Sequence, residues 1–248
     1  MRALILAASL FGITISEAAE IRVISANGMR DVITGTKAKF EADTKHQLTI
    51  TVVETGEIRK RVLAGEAFDV IMVPKAAADE FEQAGKMAPG AVQLIRVNFG
   101  LAVPAAGPRP DVSTPENLKN TFLRARTVLI TDPKTGGISG VHLMEVLDKL
   151  GIADEMKSRL VPQPGGGFHA ERVVKGEADL AVQAEHEIRC VRGATFVAYP
   201  VQLQRTVVFM GGVGAAAGDA AAAKAYLAFL TGPDAAPTYS AYCLTRGQ

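Results

Sequence analysis

Ile21-Arg22-Val23-Ile24-Ser25-Ala26-Asn27-Gly28-Met29 begins as a short apolar run and passes through a Ser-Ala-Asn-Gly turn into a segment with Met29, Val32, Ile33 and Phe40 at near-helical spacing. This reads as strand, turn, helix. The grammar continues downstream. Residues 48–53 alternate apolar side chains with Thr, 57–64 read as a short helix stopped by Gly65, 69–73 as a buried strand, and 76–84 as a helix stopped by Gly85. Such a β-α-β-α-β-α series predicts a mainly parallel sheet covered on both faces by helices.

A second unit repeats the series. Residues 127–131 read as a strand, 132–137 as a turn containing glycine, and 142–150 as a helix with Leu143, Val146, Leu147 and Leu150 on its apolar side. Leu160-Val161, the Gly165-Gly166-Gly167 run, a helix over 168–175 and a strand over 179–183 follow. Arg61-Val62-Leu63-Ala64-Gly65-Glu66-Ala67 is echoed by Arg172-Val173-Val174-Lys175-Gly176-Glu177-Ala178, which predicts an internal duplication. Between the units a strand over 97–103 leads to the Pro-rich stretch 104–110, and Tyr199-Pro200 marks the return. A strand over 206–210 and an Ala-rich helix over 220–230 close the chain. The expected organisation is an α/β, two-lobed protein with each lobe a mainly parallel sheet flanked by helices. Lobe one is discontinuous, 19–97 and 200–248, and lobe two, 98–199, is inserted into it.

Composition narrows the function classes. Of 248 residues, 27 Lys and Arg stand against 26 Asp and Glu, a net charge of +1 with no basic excess to neutralise phosphates, so nucleic acid is not an expected partner. At 48% hydrophobic residues the chain is not expected to be disordered. Met1-Arg2, the apolar run 3–15 and Ser16-Glu17-Ala18-Ala19 have the form of a cleaved signal peptide over 1–18, which implies export to the periplasm. The run is too short to span a bilayer. Zinc spacings are missing, and the pairs His142/Glu145 and His186/Glu187 stand alone, so neither metal nor cofactor is expected. Cys190 and Cys243 fall in different lobes and are expected to be unpaired, since a bridge would tie bodies that have to move.

In open parallel sheets ligands bind beyond the carboxyl ends of strands, where helix N-termini present unpaired N–H groups. Asn27-Gly28, Thr55-Gly56, Gly137 with Ser139-Gly140, and the Gly165–Gly167 run all stand at such turns, and together they suggest a cleft for a small anion. Lys134, His169 and Arg30 lie in or beside these turns and are candidates for pairing with ligand carboxylates. No G-x-S-x-G elbow or P-loop is present; His169 and Glu171, or His186 and Glu187, could act as acid and base, but as adjacent helix charges they are expected to be exposed, and no residue is assigned a catalytic role.

The leader, the 25–29 turn, Gly65-Glu66-Ala67-Phe68-Asp69-Val70, Thr131-Asp132-Pro133 running into Gly137-Ile138-Ser139-Gly140, and Gly176-Glu177-Ala178-Asp179-Leu180 together resemble the periplasmic molybdate-binding protein family, over essentially the whole mature chain. The resemblance implies a monomeric type II binding protein that encloses a molybdate- or tungstate-like oxyanion and serves the membrane subunits of an ABC importer. It implies ligand contacts at Asn27 and Gly28, Thr55 and Gly56, Ser139 and Gly140, and Gln183 with Ala184. Three departures stand out. The family's first serine falls on Gly28, its paired serines on Thr55-Gly56, and its late tyrosine is replaced around Gln183-Ala184. A periplasmic aconitate isomerase also resembles this family, so a small di- or tricarboxylate, bound or isomerised, is the alternative expectation.

Overall fold

The computed structural model describes residues 18–163 and 167–247. Residues 1–17 of the expected leader, and Gly165 and Gly166, lie outside the described residues.

Lobe one begins with β1 (Glu20–Ala26), α1 (Arg30–Thr44), β2 (Gln47–Val53), α2 (Thr55–Leu63), β3 (Val70–Pro74), α3 (Lys75–Gln83) and β4 (Val92–Val97). The chain then crosses and builds β5 (Phe99–Pro104), α4 (Pro115–Arg124), β6 (Val128–Thr131), α5 (Ile138–Leu150), α6 (Ala153–Met156), β7 (Leu160–Gln163), α7 (His169–Val174), β8 (Leu180–Ala184), α8 (Glu185–Arg189) and β9 (Ala194–Ala198). It returns through β10 (Val207–Val213), α9 (Ala220–Thr231) and α10 (Ala236–Ala241).

The two sheets have the same plan. One runs β2-β1-β3-β10-β4 and the other β7-β6-β8-β5-β9. In each, three parallel strands from the β-α-β series are followed by an antiparallel strand that arrives from the crossing, β10 or β5, and then an edge strand. The strand expected over 97–103 is therefore two strands. It breaks at Asn98, where β4 leaves one sheet and β5 enters the other. Asn98 accepts a hydrogen bond from the Thr206 hydroxyl at 2.8 Å, and the Gln204 side chain bonds both the N–H and the carbonyl of Phe99 at 3.1 and 2.9 Å. The outgoing and returning crossings are thus tied to each other.

The duplication extends to interactions. Asp69 accepts the Arg22 backbone N–H at 2.8 Å and its guanidinium at 2.9 and 3.0 Å, which fastens the start of β1 to the entry of β3. Asp179 does the same for Arg126, taking its N–H at 2.7 Å and its guanidinium at 3.3 and 3.1 Å. In the shared heptapeptide, Arg61 pairs with Glu66 as Arg172 pairs with Glu177, and Gly65 and Gly176 both take positive φ, 99° and 76°, to end their helices. The apolar stripes face inward as their spacing requires. Met29, Val32, Ile33 and Phe40 of the first unit are fully buried, and Phe40 packs against Tyr226 of α9 at 4.8 Å between ring centroids.

Cys190 and Cys243 form a disulfide with their Cα atoms 5.7 Å apart, contrary to the unpaired state expected from their assignment to different lobes. The physical reason is local. Cys190 follows α8, whose Glu185 bonds Asn98 at the crossing, and Cys243, after α10 on α1, lies with Arg96, Val97 and Arg189 around a recess beside that crossing.

Candidate functional site

The carboxyl ends of β1, β2, β6 and β8 face one another across a cleft. From lobe one, the turn after β1 brings Asn27 and Gly28, and the step from β2 into α2 brings Glu54 and Thr55. From lobe two come Thr131, Ile138 and Ser139 at the start of α5, and Ala184, His186 and Glu187 where β8 enters α8. Phe99 and Phe209 supply apolar surface from the crossing strands.

Two kinds of polar group meet there. Helices α2 and α5 start without a side-chain cap, Glu54 and Gly137 being their N-cap residues. The first intrahelical bonds reach Ile58 and Val141, so the N–H groups of the first turns have no partner inside their helices and, with the helix dipoles, favour an anion. The Thr55 hydroxyl is buried with no partner among the described residues, while the Ser139 hydroxyl bonds Thr131 at 2.9 Å. Against these donors stand two carboxyls. Burial pushes Glu187 up to about 7, with Glu54 and Asp31 adding to the rise and the Ala184 N–H, 3.1 Å from its Oε2, opposing it. Burial also raises Glu54, against the Asn27 amide at 2.6 Å and the charge of Arg30. Arg30 in turn donates to Asn27 at 2.5 Å and sits with Asp31 and Glu187 around an adjoining recess. His186 is buried and pulled down to about 4 by that burial, so it is neutral at pH 7.

The structure places the expected site residues unequally. Asn27, Gly28, Thr55 and Ser139 line the cleft. A Cβ on Gly28 would lie 2.6 Å from Cζ of Phe209, so the aromatic ring occupies the space a serine there would need. Gly56 touches the other lobe, since its Cβ would lie 2.8 Å from the Thr135 carbonyl and 3.1 Å from Cα of Gly136; a larger residue does not fit between the closed lobes. Gly137 and Gly140 serve packing, because a Cβ on either would run into Thr131.

Beyond these glycines, three further expected residues fall outside the lining. Gln183 is buried within lobe two, where its amide accepts the Ala170 N–H and donates to the Gly167 carbonyl, bracing the start of α7. Lys134 is exposed and not among the lining residues. His169 is buried at the start of α7 and lowered to about 4 by burial and then by Arg172. Conversely, Glu54, Thr131, His186 and Glu187 are cleft residues that the spacing did not single out as ligands. His186 and Glu187, read as exposed helix charges, instead sit in the cleft wall because α8 caps β8 at the crossing.

Residues 21–243 match the bacterial extracellular solute-binding protein family, and the chain belongs to it. It is similar to an aconitate isomerase from a Pseudomonas species, 29% identical over 230 residues, which is 87% of this chain and 84% of that protein. In fold it is similar to the periplasmic molybdate-binding protein of Azotobacter vinelandii, with a TM-score of 0.67 and 18% identity over 92% of this chain and 100% of that one. A sulfate-binding protein of Mycobacterium tuberculosis is likewise similar, with a TM-score of 0.69 and 16% identity over 92% and 87% of the two chains. At these identities the last two likenesses bear on the fold, that of two-lobed periplasmic binding proteins.

Proposed function

We propose that this solute-binding protein works in the periplasm as a monomer, enclosing a small carboxylate anion between its lobes and handing it to the membrane subunits of an ABC importer. The observation that carries the ligand class is the presence of two protonatable acids, Glu54 and Glu187, in a cleft that also presents the N-termini of α2 and α5. A molybdate-type dianion only accepts hydrogen bonds, and an ionised Glu beside it repels it. A polycarboxylate can place one charged group at the helix N-termini and share a proton between another and Glu187. Phe209 behind Gly28, and the lobe contact at Gly56, leave no room for a side chain at two positions where the resembling family carries serines.

A second reading rests on the same acid. Moving a double bond within an unsaturated carboxylate takes a proton from one carbon and returns one to another, and a cleft carboxyl with a pKa of about 7 is matched to that task. Together with the likeness to an aconitate isomerase, this supports proton-transfer chemistry in the cleft, with Glu187 as the group that carries the proton.

A thermal-shift panel of molybdate, tungstate, sulfate, phosphate, citrate and the two aconitates separates the readings, because a ligand at about 100 times its dissociation constant adds roughly 2.7 kcal/mol of stability. Shifts by the organic acids alone support the carboxylate class; shifts by molybdate or tungstate alone overturn it. Incubating the protein with one aconitate isomer and following the other by proton NMR then tests the chemistry.

A further inference from the structure

Of the three cations that stand in or beside the ligand turns in the sequence, Lys134 and His169 fall outside the cleft, whereas Arg30 reaches its edge. Arg30 opens α1 and lines a recess between the lobes together with Asn27, Asp31, Gly167, Phe168 and Glu187. Asn27 and Glu187 line the cleft as well, so the recess is its continuation. A chain of bonds fixes the guanidinium there: the Asn27 amide donates to Glu54 at 2.6 Å and accepts from Arg30 at 2.5 Å. Among the described residues Arg30 forms no ion pair with a carboxylate; its side-chain bond is the one to Asn27. Beyond the Gly56–Gly136 contact a larger groove carries Arg59, Lys75 and Arg205, and each of these is already paired, with Glu80, Asp79 and Glu145.

Volume and charge decide what the recess can take. About 40 Å³ is free in the cleft core around the starts of α2 and α5, and a water needs about 10–15 Å³, so the closed protein has room there for one carboxylate and little more. The recess beside Arg30 adds about 120 Å³, with Phe168 as apolar surface for a short carbon chain. Asp31 offsets the charge of Arg30, so the recess is neutral when Glu187 holds its proton and acidic when it does not.

We infer that Arg30 is a specificity-determining residue that holds the second carboxylate of a ligand whose first carboxylate sits at the N-termini of α2 and α5 beside the Thr55 hydroxyl. This rests on the carboxylate reading above and narrows it to small acids with at least two carboxylates a short carbon chain apart. The second carboxylate then stands next to Glu187, which Glu54, Asp31 and Arg30 also face, and it favours the protonated form of that acid. Binding at a pH where Glu187 is ionised therefore takes up a proton.

The test is calorimetric titration of the native protein, Arg30→Ala, Arg30→Gln and Arg59→Ala with citrate, succinate and both aconitates, and with butanoate as a monoacid. Native protein is expected to bind at least one polyacid about tenfold or more tighter than butanoate. For that polyacid, Arg30→Ala and Arg30→Gln are each expected to lower affinity at least about thirtyfold, and Arg59→Ala less than about twofold. Arg30→Gln keeps an amide that can bond Asn27, so it separates loss of the charge from loss of the bond and stands in if Arg30→Ala does not fold. Titration at pH 8 in two buffers of different ionisation enthalpy reads proton uptake, which is expected in the native protein and smaller in the Arg30 variants, where Glu187 has lost its neighbouring cation. The inference is overturned if both Arg30 variants stay within threefold of native for that polyacid, if butanoate binds as tightly as the polyacids, or if the large loss falls on Arg59→Ala. Native protein that binds none of these acids overturns the carboxylate reading itself, a different outcome from polyacid binding that ignores Arg30.

Discussion

Gly56 and Gly136 meet backbone to backbone across the mouth of the cleft, so closely that a Cβ on Gly136 would lie 2.7 Å from both N and Cα of Gly56. Each comes from a different lobe, and between them they set how near the α2 and α5 ends of the cleft can come. Gly136 also holds a positive φ of 81°, which a side chain disfavours, whereas Gly56 is free of that restriction. Gly56→Ala is therefore the cleaner probe. It should leave the ligand-free protein as stable as the parent while weakening ligand binding at least tenfold, about 1.4 kcal/mol, because the closed state has to shift backbone. Calorimetric titration beside thermal unfolding checks both halves.

Thr55→Val removes the buried cleft hydroxyl that lacks a partner among the described residues. None of those residues loses a hydrogen bond, so stability should hold or rise slightly, while affinity for the proposed anion should fall by about 1–2 kcal/mol. Lys134→Ala is the contrasting control. Its side chain is exposed and outside the lining, and the change should move the dissociation constant less than about twofold, within the small effect expected of a solvated charge.

Glu187 gives the protein a signature in pH. Its folded pKa, about 7, lies above the ordinary value of 4.5, so its contribution to stability is complete below the ordinary value and is lost as pH rises through the folded one. The unfolding free energy of the native protein minus that of Glu187→Gln should therefore fall by roughly 2–3 kcal/mol between about pH 4 and pH 8. Urea unfolding across that range measures it, and a flat difference refutes the raised pKa.

The duplicated clamps should differ in cost despite sharing one bonding pattern. The Asp69 side chain is 3% exposed and also accepts the Gly218 N–H at 2.8 Å, whereas Asp179 is 32% exposed and its partner Arg126 is 88% exposed. Asp69→Ala should destabilise by about 2–4 kcal/mol and Asp179→Ala by about 1. Burial raises the Asp69 carboxyl, but the bonds from Arg22 and Gly218 more than offset it and hold the group below its ordinary value. Its contribution is thus present above the ordinary carboxylate range and lost in strong acid.

The sheet plan was legible because strand-Gly-helix punctuation is local; Gly65 and Gly176 mark helix ends in the chain as in the structure. Part of the cleft lining was legible for the same reason, since Asn27 and Thr55 stand just after strands. What escaped was set by contacts distant in sequence. Helix α8 has five residues, too few to show a 3.6-residue period, and its position depends on Asn98, 87 residues earlier. Glu54 reads as one more surface acid until Asn27 meets it 27 residues away. Gln183 stands in register with cleft residues, yet alternation along β8 turns it towards Ala170 and leaves Ala184 at the cleft. The pairing of Cys190 with Cys243 depended on where α8 ends, which lobe membership alone did not fix.

The matched clamps, Arg22–Asp69 and Arg126–Asp179, and the matched strand orders make this chain a pseudo-symmetric pair of units on one polypeptide, with its cleft where a twofold dimer would have its interface. A true dimer has to present every group twice, at equivalent positions on both subunits. Here Glu54 follows the second strand of its unit and Glu187 the third strand of the other, so the two acids are not counterparts and each occurs once. On one polypeptide the two walls need not mirror each other. Two unlike walls can tell one end of an enclosed molecule from the other.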